Sequence, residues 1–215
     1  MIPSTPKRIL AVGDIHGCLT KLRYLLERVS PTSDDLLVFL GDYIDRGLEI
    51  PETIEHLIQF SHRNSVVFLR GNHEDMLIKY IEQGDGYFLL NGGAETLYQY
   101  QKSIWGEIPS HHLDFFKSTR RYYQTDEFIF VHAGLKPGIS LEDQRDEDLL
   151  WIREEFLNSE YEWGKTVVFG HSPFKEPVFN DNRIGLDTGA ALSPEKGFGN
   201  LTCCEVQSRN YWQVA

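Results

Sequence analysis

Five short polar segments of this 215-residue chain each follow directly after an apolar run. They are Gly13-Asp14-Ile15-His16-Gly17, Gly41-Asp42-Tyr43-Ile44-Asp45-Arg46-Gly47, Gly71-Asn72-His73-Glu74, Val131-His132-Ala133-Gly134 and Gly170-His171-Ser172. Short apolar runs are typical of buried strands, and in open α/β sheets ligands bind at the carboxyl ends of the strands. We therefore expect segments that are distant in sequence to converge on one crevice, where their Asp, Asn and His side chains are suited to divalent metal ions.

The spacing of these side chains predicts two metal ions. Asp14 and His16 lie two residues apart, so on an extended segment both reach one ion from the same side. Asp42 has the position to bridge to a second ion. The remaining ligands of that second ion are then supplied by Asn72, His132 and His171. This mixed set of nitrogen and oxygen atoms suits manganese, iron or zinc, and it lacks the thiolates of a structural zinc site.

Two such ions would leave a net positive charge facing an incoming phosphate dianion, because only Asp14 and Asp42 bring carboxylates to them. A neutral amide at Asn72 preserves this attraction. A pair of divalent ions also lowers the pKa of a bridging water towards roughly 7 and clamps the phosphoryl oxygens of an in-line displacement. The pattern therefore favours a hydrolytic reaction at phosphorus.

The neighbouring residues supply the other groups that such a reaction needs. His73 follows a predicted ligand directly, so we expect it to be free to protonate the leaving oxygen as a general acid. Asp45 is its expected partner, since a carboxylate fixes the tautomer of an imidazole and favours its protonated form. Arg46 and Arg153 are candidates for planar, bidentate clamps on phosphate oxygens.

The elements that position these residues follow from the apolar pattern. Strands are predicted at residues 8–12, 35–40 and 65–69, with helices at Leu19–Val29 and from about Pro51. Strands that alternate with helices in this way indicate right-handed crossovers and a largely parallel sheet. Further strands are predicted at Phe128–Val131 and 167–169, a helix at 146–158, and short antiparallel strands within 178–214. Residues 84–120 are predicted to form a small helical cap. We expect an α/β fold with a mixed, two-layered sheet, and one domain over residues 1–215.

Composition and charge exclude several classes of protein. Lys and Arg total 21 against 32 Asp and Glu, a net charge of 21 − 32 = −11, which argues against binding to nucleic acid or to anionic membranes. The three cysteines, Cys18, Cys203 and Cys204, do not form a disulfide framework. No apolar run approaches the length of a membrane span and no signal-peptide pattern is present, so a cytoplasmic location is expected.

The motifs together resemble the metallophosphoesterases of the phosphoprotein phosphatase family, in particular the small bacterial and phage serine/threonine phosphatases. The resemblance covers residues 8–190, including Asp187-Thr188-Gly189-Ala190. It implies a two-layered β-sandwich flanked by helices, which is the calcineurin-like metallophosphoesterase fold. It also implies a centre of two divalent ions, of which Mn²⁺ is expected, and hydrolysis of phosphomonoesters without a phosphoenzyme.

Carried over by motif position, the resemblance assigns a role to each site residue. The implied metal ligands are Asp14, His16, Asp42, Asn72, His132 and His171. The implied acid is His73, oriented by Asp45, and the implied phosphate-binding residues are Arg46, Asn72 and Arg153. The chain lacks the longer carboxyl-terminal region through which eukaryotic members meet regulatory subunits, so no such partner is expected.

Three functions are compatible with these residues. The leading interpretation is a phosphatase for phosphoserine or phosphothreonine in proteins, extending to phosphotyrosine or small phosphoesters. The alternative is a symmetrical dinucleoside tetraphosphate hydrolase, because similar motifs occur in such enzymes. The cap would then offer aromatic surface to adenine, although aromatic residues there are more often part of a core: Tyr87, Phe88, Tyr98 and Tyr100. A non-catalytic phosphate binder is disfavoured, since ligands, acid and acid partner are all present. The other histidines, His56, His62, His111 and His112, are expected on the surface or in packing.

Overall fold

Two five-stranded sheets form the centre of the fold, in a computed structural model that describes residues 6–215. The strands in chain order are β1 (Ile9–Val12), β2 (Leu36–Phe39), β3 (Ser65–Phe68), β4 (Tyr122–Gln124), β5 (Phe128–Val131), β6 (Thr166–Phe169), β7 (Val178–Phe179), β8 (Arg183–Gly185), β9 (Leu201–Glu205) and β10 (Asn210–Val214). The first sheet has the order β10-β9-β1-β2-β3 and the second has the order β4-β5-β6-β8-β7.

Each sheet has a parallel centre and antiparallel strands beside it. In the first sheet β1, β2 and β3 are parallel, with Leu10 beside Leu37, while β9 and β10 run antiparallel. In the second sheet β5, β6 and β8 are parallel, and β4 and β7 pair antiparallel at the edges. The carboxyl ends of the parallel strands of each sheet therefore lie at one edge, as the motif positions require.

The principal helices are α1 (Leu19–Val29), α2 (Ile50–Ser61), α3 (Asn72–Gln83), α4 (Ala94–Lys102), α5 (Ser110–Ser118), α6 (Asp146–Trp151) and α7 (Glu154–Leu157). Apolar residues at helical spacing on α1, including Leu22 and Leu25, are fully buried and pack beside Leu10 of β1. A second apolar layer joins the two sheets and contains Val38 and Val168. A third lies between the second sheet and α6 and α7.

This arrangement confirms the predicted fold class, a two-layered mixed β-sandwich flanked by helices. It also explains why β1 and β2 are apolar at every position: all eight residues are buried, because one face meets helices and the other meets the second sheet. The predictions of Leu19–Val29 and Phe128–Val131 are confirmed to the residue.

Two local predictions are wrong. Residues 146–158 form two short helices instead of one, because the backbone leaves the helical region at Ile152 (ψ 141°) and Arg153 (φ −133°, ψ −93°). The tail is not wholly antiparallel either. After the short strand β7 the chain turns at residues 180–182, so β8 enters the sheet parallel to β6.

The segment at 84–120 is helical, as predicted, and packs against α2 and α3. It contains a π-helical turn at Leu89–Gly93, followed by α4 and α5. His111 and His112 on α5 both contact Glu55 of α2, at 3.0 and 3.2 Å from Nε2 to Oε2, which agrees with the expected surface and packing roles. Within residues 6–215, no helix combines the length and hydropathy needed to cross a lipid bilayer.

Candidate metal centre and phosphate site

All six predicted metal ligands lie in loops or at helix starts that directly follow the strands. Four follow strands of the first sheet, namely Asp14, His16, Asp42 and Asn72, and two follow strands of the second, namely His132 and His171. Each of the six is at most 5% exposed. The structure thus brings together residues from two sheets at one buried edge.

The group around Asn72 contains ligands of the predicted second ion. The Oδ1 atom of Asn72 lies 3.0 Å from Nε2 of His132 and 2.9 Å from Nδ1 of His171. His132 donates its Nδ1–H to the carbonyl of Leu40 at 2.8 Å, which leaves Nε2 with a lone pair facing the cluster. Donor atoms of Asp42, His132 and His171 lie within 4.8 Å of one another.

The group around His16 contains ligands of the predicted first ion. His16 donates Nδ1–H to the carbonyl of Ile44 at 2.8 Å, so its Nε2 also carries a lone pair. Asp42 faces both groups, because its Oδ2 is 3.5 Å from Nε2 of His16 and its Oδ1 is 3.4 Å from Nε2 of His132. This is the placement expected of a bridging carboxylate. Arg46 currently contacts His16 Nε2 at 2.6 Å, so an ion bound there requires its guanidinium to move.

Asp14 joins the first sheet to the second. Both of its carboxylate oxygens accept the backbone N–H of His171, at 3.1 and 3.0 Å. Burial, followed by the charges of Asp187 and Asp42, raises the pKa of Asp14 well above its usual range. Burial likewise raises the pKa of Asp187 to about 6. Buried carboxylates crowded in this way are stabilised when a cation binds between them.

The protonation of the histidines suits metal binding. Burial lowers the pKa of His16 to about 3 and that of His171 to about 2, and it also lowers the pKa of His132. Neutral imidazole is the form that binds metal. The Nε2 atom of His171 is buried and has no hydrogen-bond partner in the described part of the chain. Lone pairs, carboxylates and one amide oxygen therefore fit a pair of divalent ions of the manganese, iron or zinc type.

His73 lies beside the cluster and differs from its neighbours. Its Nδ1 is 2.5 Å from Oδ2 of Asp45, whose Oδ1 accepts the hydroxyl of Thr96. Burial by itself lowers the pKa of His73, but the charges of Asp42 and Asp45 raise it by more, so the net shift is upward. With Asp45 at Nδ1, the other ring nitrogen, Nε2, faces Arg46 at 3.1 Å; because a guanidinium only donates, a general-acid proton on Nε2 requires Arg46 to turn away, for example towards phosphate.

The two arginines lie on different sides of the cluster. Arg46 contacts Nε2 of both His16 and His73, the latter at 3.1 Å from Nη2. Arg153 is 3.4 Å from Oγ of Ser172, the residue after His171. Both side chains are exposed, so they are available to phosphate oxygens at the mouth of the crevice.

The backbone of the site is unusual. Seven non-glycine residues within 6–215 have left-handed φ values, and five of them belong to the motifs: His16, Asp42, Asp45, Arg46 and His171, with φ between 49° and 68°. Such conformations are costly for residues with a side chain, and they cluster at functional sites. The fold therefore holds these side chains in orientations that an unconstrained chain would avoid.

Sequence reasoning assigned no role to Glu74 or Thr96, which support the site. The carboxylate of Glu74 accepts N–H groups of Gly71, Asp42 and Tyr43 at 3.0, 2.9 and 2.8 Å. Glu74 is the third residue of α3, a position from which glutamate commonly accepts the N–H of the residue before the helix, and that position could have revealed its role. Thr96 reaches Asp45 from 51 residues away, and no local pattern signals that contact.

Comparisons with known proteins agree with this geometry. The model of the calcineurin-like phosphoesterase family matches residues 7–194. An asymmetrical bis(5'-nucleosyl)-tetraphosphatase, PrpE of Bacillus thuringiensis, is 26% identical over 84% of this chain and 85% of that protein. The corresponding protein of Anoxybacillus flavithermus is 24% identical over the same shares.

Solved structures show the same fold. A candidate diadenosine tetraphosphatase superposes with a TM-score of 0.75 and 22% identity, over 100% of this chain and 95% of that one. A cold-active protein tyrosine phosphatase gives 0.69 and 15%, over 100% and 81%. A serine/threonine phosphatase of Saccharomyces cerevisiae gives 0.67 and 17%, over 98% and 80%.

Proposed function

Since the chain belongs to the calcineurin-like phosphoesterase family, we propose that it hydrolyses dinucleoside tetraphosphates, cleaving them asymmetrically into a nucleoside triphosphate and a nucleoside monophosphate. The observation that carries this proposal is the similarity to asymmetrical bis(5'-nucleosyl)-tetraphosphatases, which extends over 84% of the chain. The alternative raised by the sequence is thereby favoured over protein dephosphorylation, with asymmetrical instead of symmetrical cleavage.

The site supplies the groups that this reaction needs. Two divalent ions held by the six ligands would activate water and neutralise charge on the phosphoryl oxygens. Overall, the oxygen of water bonds to phosphorus, one P–O bond of the anhydride bridge breaks, and the bridging oxygen leaves with the other nucleotide. Arg46 and Arg153 would hold phosphate oxygens and His73 would protonate the leaving oxygen, roles that their positions beside the candidate ligands support.

Protein phosphatase activity is supported by the motif resemblance alone. The structural neighbours that act on phosphotyrosine or phosphoserine share at most 17% identity with this chain, so their likeness concerns the fold. Phosphopeptides therefore serve as the comparison substrate.

The test is a product analysis. After removal of metal and addition of Mn²⁺, diadenosine tetraphosphate and a phosphoserine peptide are supplied separately, and the products are resolved by ion-exchange chromatography. We expect ATP and AMP in equal amounts from the dinucleotide, at a kcat/KM above that for the peptide. Two molecules of ADP would indicate symmetrical cleavage, and turnover of the peptide alone would overturn the proposal.

Two variants serve as controls for activity from a contaminating enzyme. The Asp42→Asn variant should lose the activity, because it removes the carboxylate that faces both metal groups. The His62→Asn variant changes an exposed histidine after α2 and should keep it. An activity that persists in Asp42→Asn would belong to another protein.

A further inference from the structure

A groove of about 560 Å³ opens beside the metal centre and is not used by any of the predicted site roles except that of Arg46. It is lined by the start of α1, the loop before α2 and the segment that precedes β9. Arg46 lies in its wall and also contacts His16 and His73, and Gly17, another wall residue, directly follows His16. The groove is therefore continuous with the crevice in which phosphorus would react.

The charged groups that line this groove are the side chains of Lys21, Arg46 and Glu49 and the terminal residue Ala215, so its formal charge is close to zero in a chain whose net charge is −11. The ammonium of Lys21 is held in the wall by the carbonyls of Ala190 and Gly199, at 3.0 and 2.5 Å, and an ammonium has one further N–H to donate. The carboxylate in the wall, Glu49, is already bound by the backbone N–H and hydroxyl of Thr20, at 2.9 and 2.7 Å. Lys21 and Arg46 thus present a pair of cations to an anion that extends out of the crevice.

The far part of the groove is apolar and open. Tyr24 is 58% exposed and Leu48 is 84% exposed, although both are large apolar side chains. Leu192 and Pro194 also line the groove. An exposed tyrosine ring next to aliphatic side chains suits a planar, weakly polar group such as a nucleobase, whose faces stack on aromatic rings.

The aromatic residues of the cap are less suited to this role. Phe88 and Tyr100 are buried in the main core, at 0% and 1% exposure. The ring of Tyr98 is covered by the ammonium of Lys102 at 5.7 Å, and that of Tyr87 is engaged with Trp151 at 6.1 Å between centroids. Tyr87 and Tyr98 are half exposed, but each ring already has a neighbour, whereas the groove combines the exposed ring of Tyr24 with the cations of Lys21 and Arg46.

We propose that this groove binds the leaving nucleotide, which is the half of the substrate beyond the bond that breaks. Its phosphates lie along Arg46 and Lys21, and its base packs against Tyr24 and Leu48. The inference rests on the proposed function, because it assigns a place to one half of the dinucleoside tetraphosphate. It also explains how one catalytic centre selects a nucleotide: the metals and arginines recognise phosphate, and the groove recognises what is attached to it.

The kinetic test compares two substitutions of exposed aliphatic residues. Leu48→Asp places a carboxylate in the groove, whereas Ile104→Asp places one on the cap at a residue that is 93% exposed. For Leu48→Asp we expect kcat/KM for diadenosine tetraphosphate to fall about tenfold further than kcat/KM for 4-nitrophenyl phosphate, which has no nucleoside. Ile104→Asp should show no such difference. Equal losses on both substrates in Leu48→Asp would contradict the groove.

A binding test separates the groove from the reaction. Calorimetric titration of the Mn²⁺-loaded protein with ATP and with inorganic tripolyphosphate gives the contribution of the nucleoside to binding. We expect ATP to bind more tightly than tripolyphosphate, and we expect Tyr24→Ala and Leu48→Asp to lose this preference while Ile104→Asp keeps it. If the unaltered protein shows this preference and the two variants lose it, but diadenosine tetraphosphate is not cleaved, the proposed function is wrong and the groove proposal is supported. If ATP and tripolyphosphate bind equally to the unaltered protein, or Tyr24→Ala and Leu48→Asp keep the preference, the groove proposal fails whether or not the protein hydrolyses dinucleotides.

Discussion

Four histidines surround Asp42 in the candidate centre, and their chemistry differs with the groups they contact. Burial lowers the pKa of His16 and of His171, whose ring nitrogens meet carbonyl or amide oxygens. His73 is also buried, but the Asp45 carboxylate bonds to its ring and its pKa is raised. One additional carboxylate therefore separates the candidate ligand histidines, which favour the neutral form, from the candidate acid His73, which favours the protonated form.

Substituting Asp45 tests this division of roles. Without the carboxylate, the pKa of His73 falls, so the protonated acid is lost at a lower pH and the alkaline decline of kcat/KM moves to lower pH. Near pH 8, we expect Asp45→Asn to lose about 100-fold in kcat/KM on phenyl phosphate, whose leaving group needs a proton. The loss on 4-nitrophenyl phosphate should be much smaller. The measurement is a pH profile on both esters, with Asp34→Asn, at an exposed carboxyl, as the control. Unchanged profiles would remove His73 from the acid role.

The loops that follow the strands approach one another so closely that glycine is required before several of the ligands. A Cβ atom on Gly71 would lie 2.1 Å from Oδ1 of Asp42, and one on Gly170 would lie 2.2 Å from Oδ1 of Asp14. Such contacts are far shorter than packed atoms allow. The recurring Gly-Asp, Gly-Asn and Gly-His pairs in the sequence therefore reflect close approach of the loops as well as turn formation.

A single methyl group at Gly71 should disturb the centre. We expect Gly71→Ala to displace Asp42, to lower kcat/KM at least about tenfold and to reduce the free energy of unfolding by about 1–3 kcal/mol, as overpacking does. Gly86→Ala is the matched control, because a Cβ there meets nothing within 4 Å. Activity assays and urea unfolding of both variants give the comparison. If the two variants behave alike, close packing at Gly71 is not what positions Asp42.

How well the elements could be predicted depended on whether the signal was local. The spacing of Leu22, Leu25 and Leu26 suffices to predict α1, because one helix face is buried against the sheet. The break between α6 and α7 escaped prediction because Leu149, Leu150 and Phe156 keep a helical spacing across it. The direction of β8 depends on pairing with β6, which is a tertiary contact without a local signature.

Prediction of the site also depended on whether the signal was local in the sequence. That the six candidate ligands come together could be predicted, since each belongs to a short motif directly after an apolar run. Thr96 could not, because its contact with Asp45 depends on how the 84–120 segment packs against the sandwich. The groove beside Arg46 could not be predicted from the sequence either, because its walls come from three separate parts of the chain.

The candidate metal centre lies where the two sheets meet. Asp14 and Asp42 follow strands of the first sheet, whereas His132 and His171 follow strands of the second. An ion bound by both sets connects the sheets and balances the buried carboxylates of Asp14, Asp42 and Asp187, which repel one another without it. The ions should therefore contribute to stability as well as to catalysis.

Chelation should lower the melting temperature of the whole molecule. At a metal concentration of about 100 times Kd, binding stabilises the native state by about 2.7 kcal/mol. For a chain of this size we expect Tm to fall by about 5–10 °C when EDTA replaces Mn²⁺, and to recover when Mn²⁺ is restored. Scanning calorimetry measures the shift. The Asp42→Asn variant, which lacks the carboxylate facing both groups, should show a much smaller one. If Tm is the same in EDTA and in Mn²⁺, the ions do not connect the sheets.

The hydrogen bond between Asp14 and His171 has a consequence for biosynthesis, because the two residues are 157 positions apart. At translation rates of about 5–20 residues per second, Asp14 leaves the ribosome on the order of ten seconds before His171 does. During that interval the nascent chain holds an incomplete ligand set. Hydrolytic capacity therefore arises late, when the loop after β6 reaches the sheet edge, and a chain that stalls earlier carries no working centre.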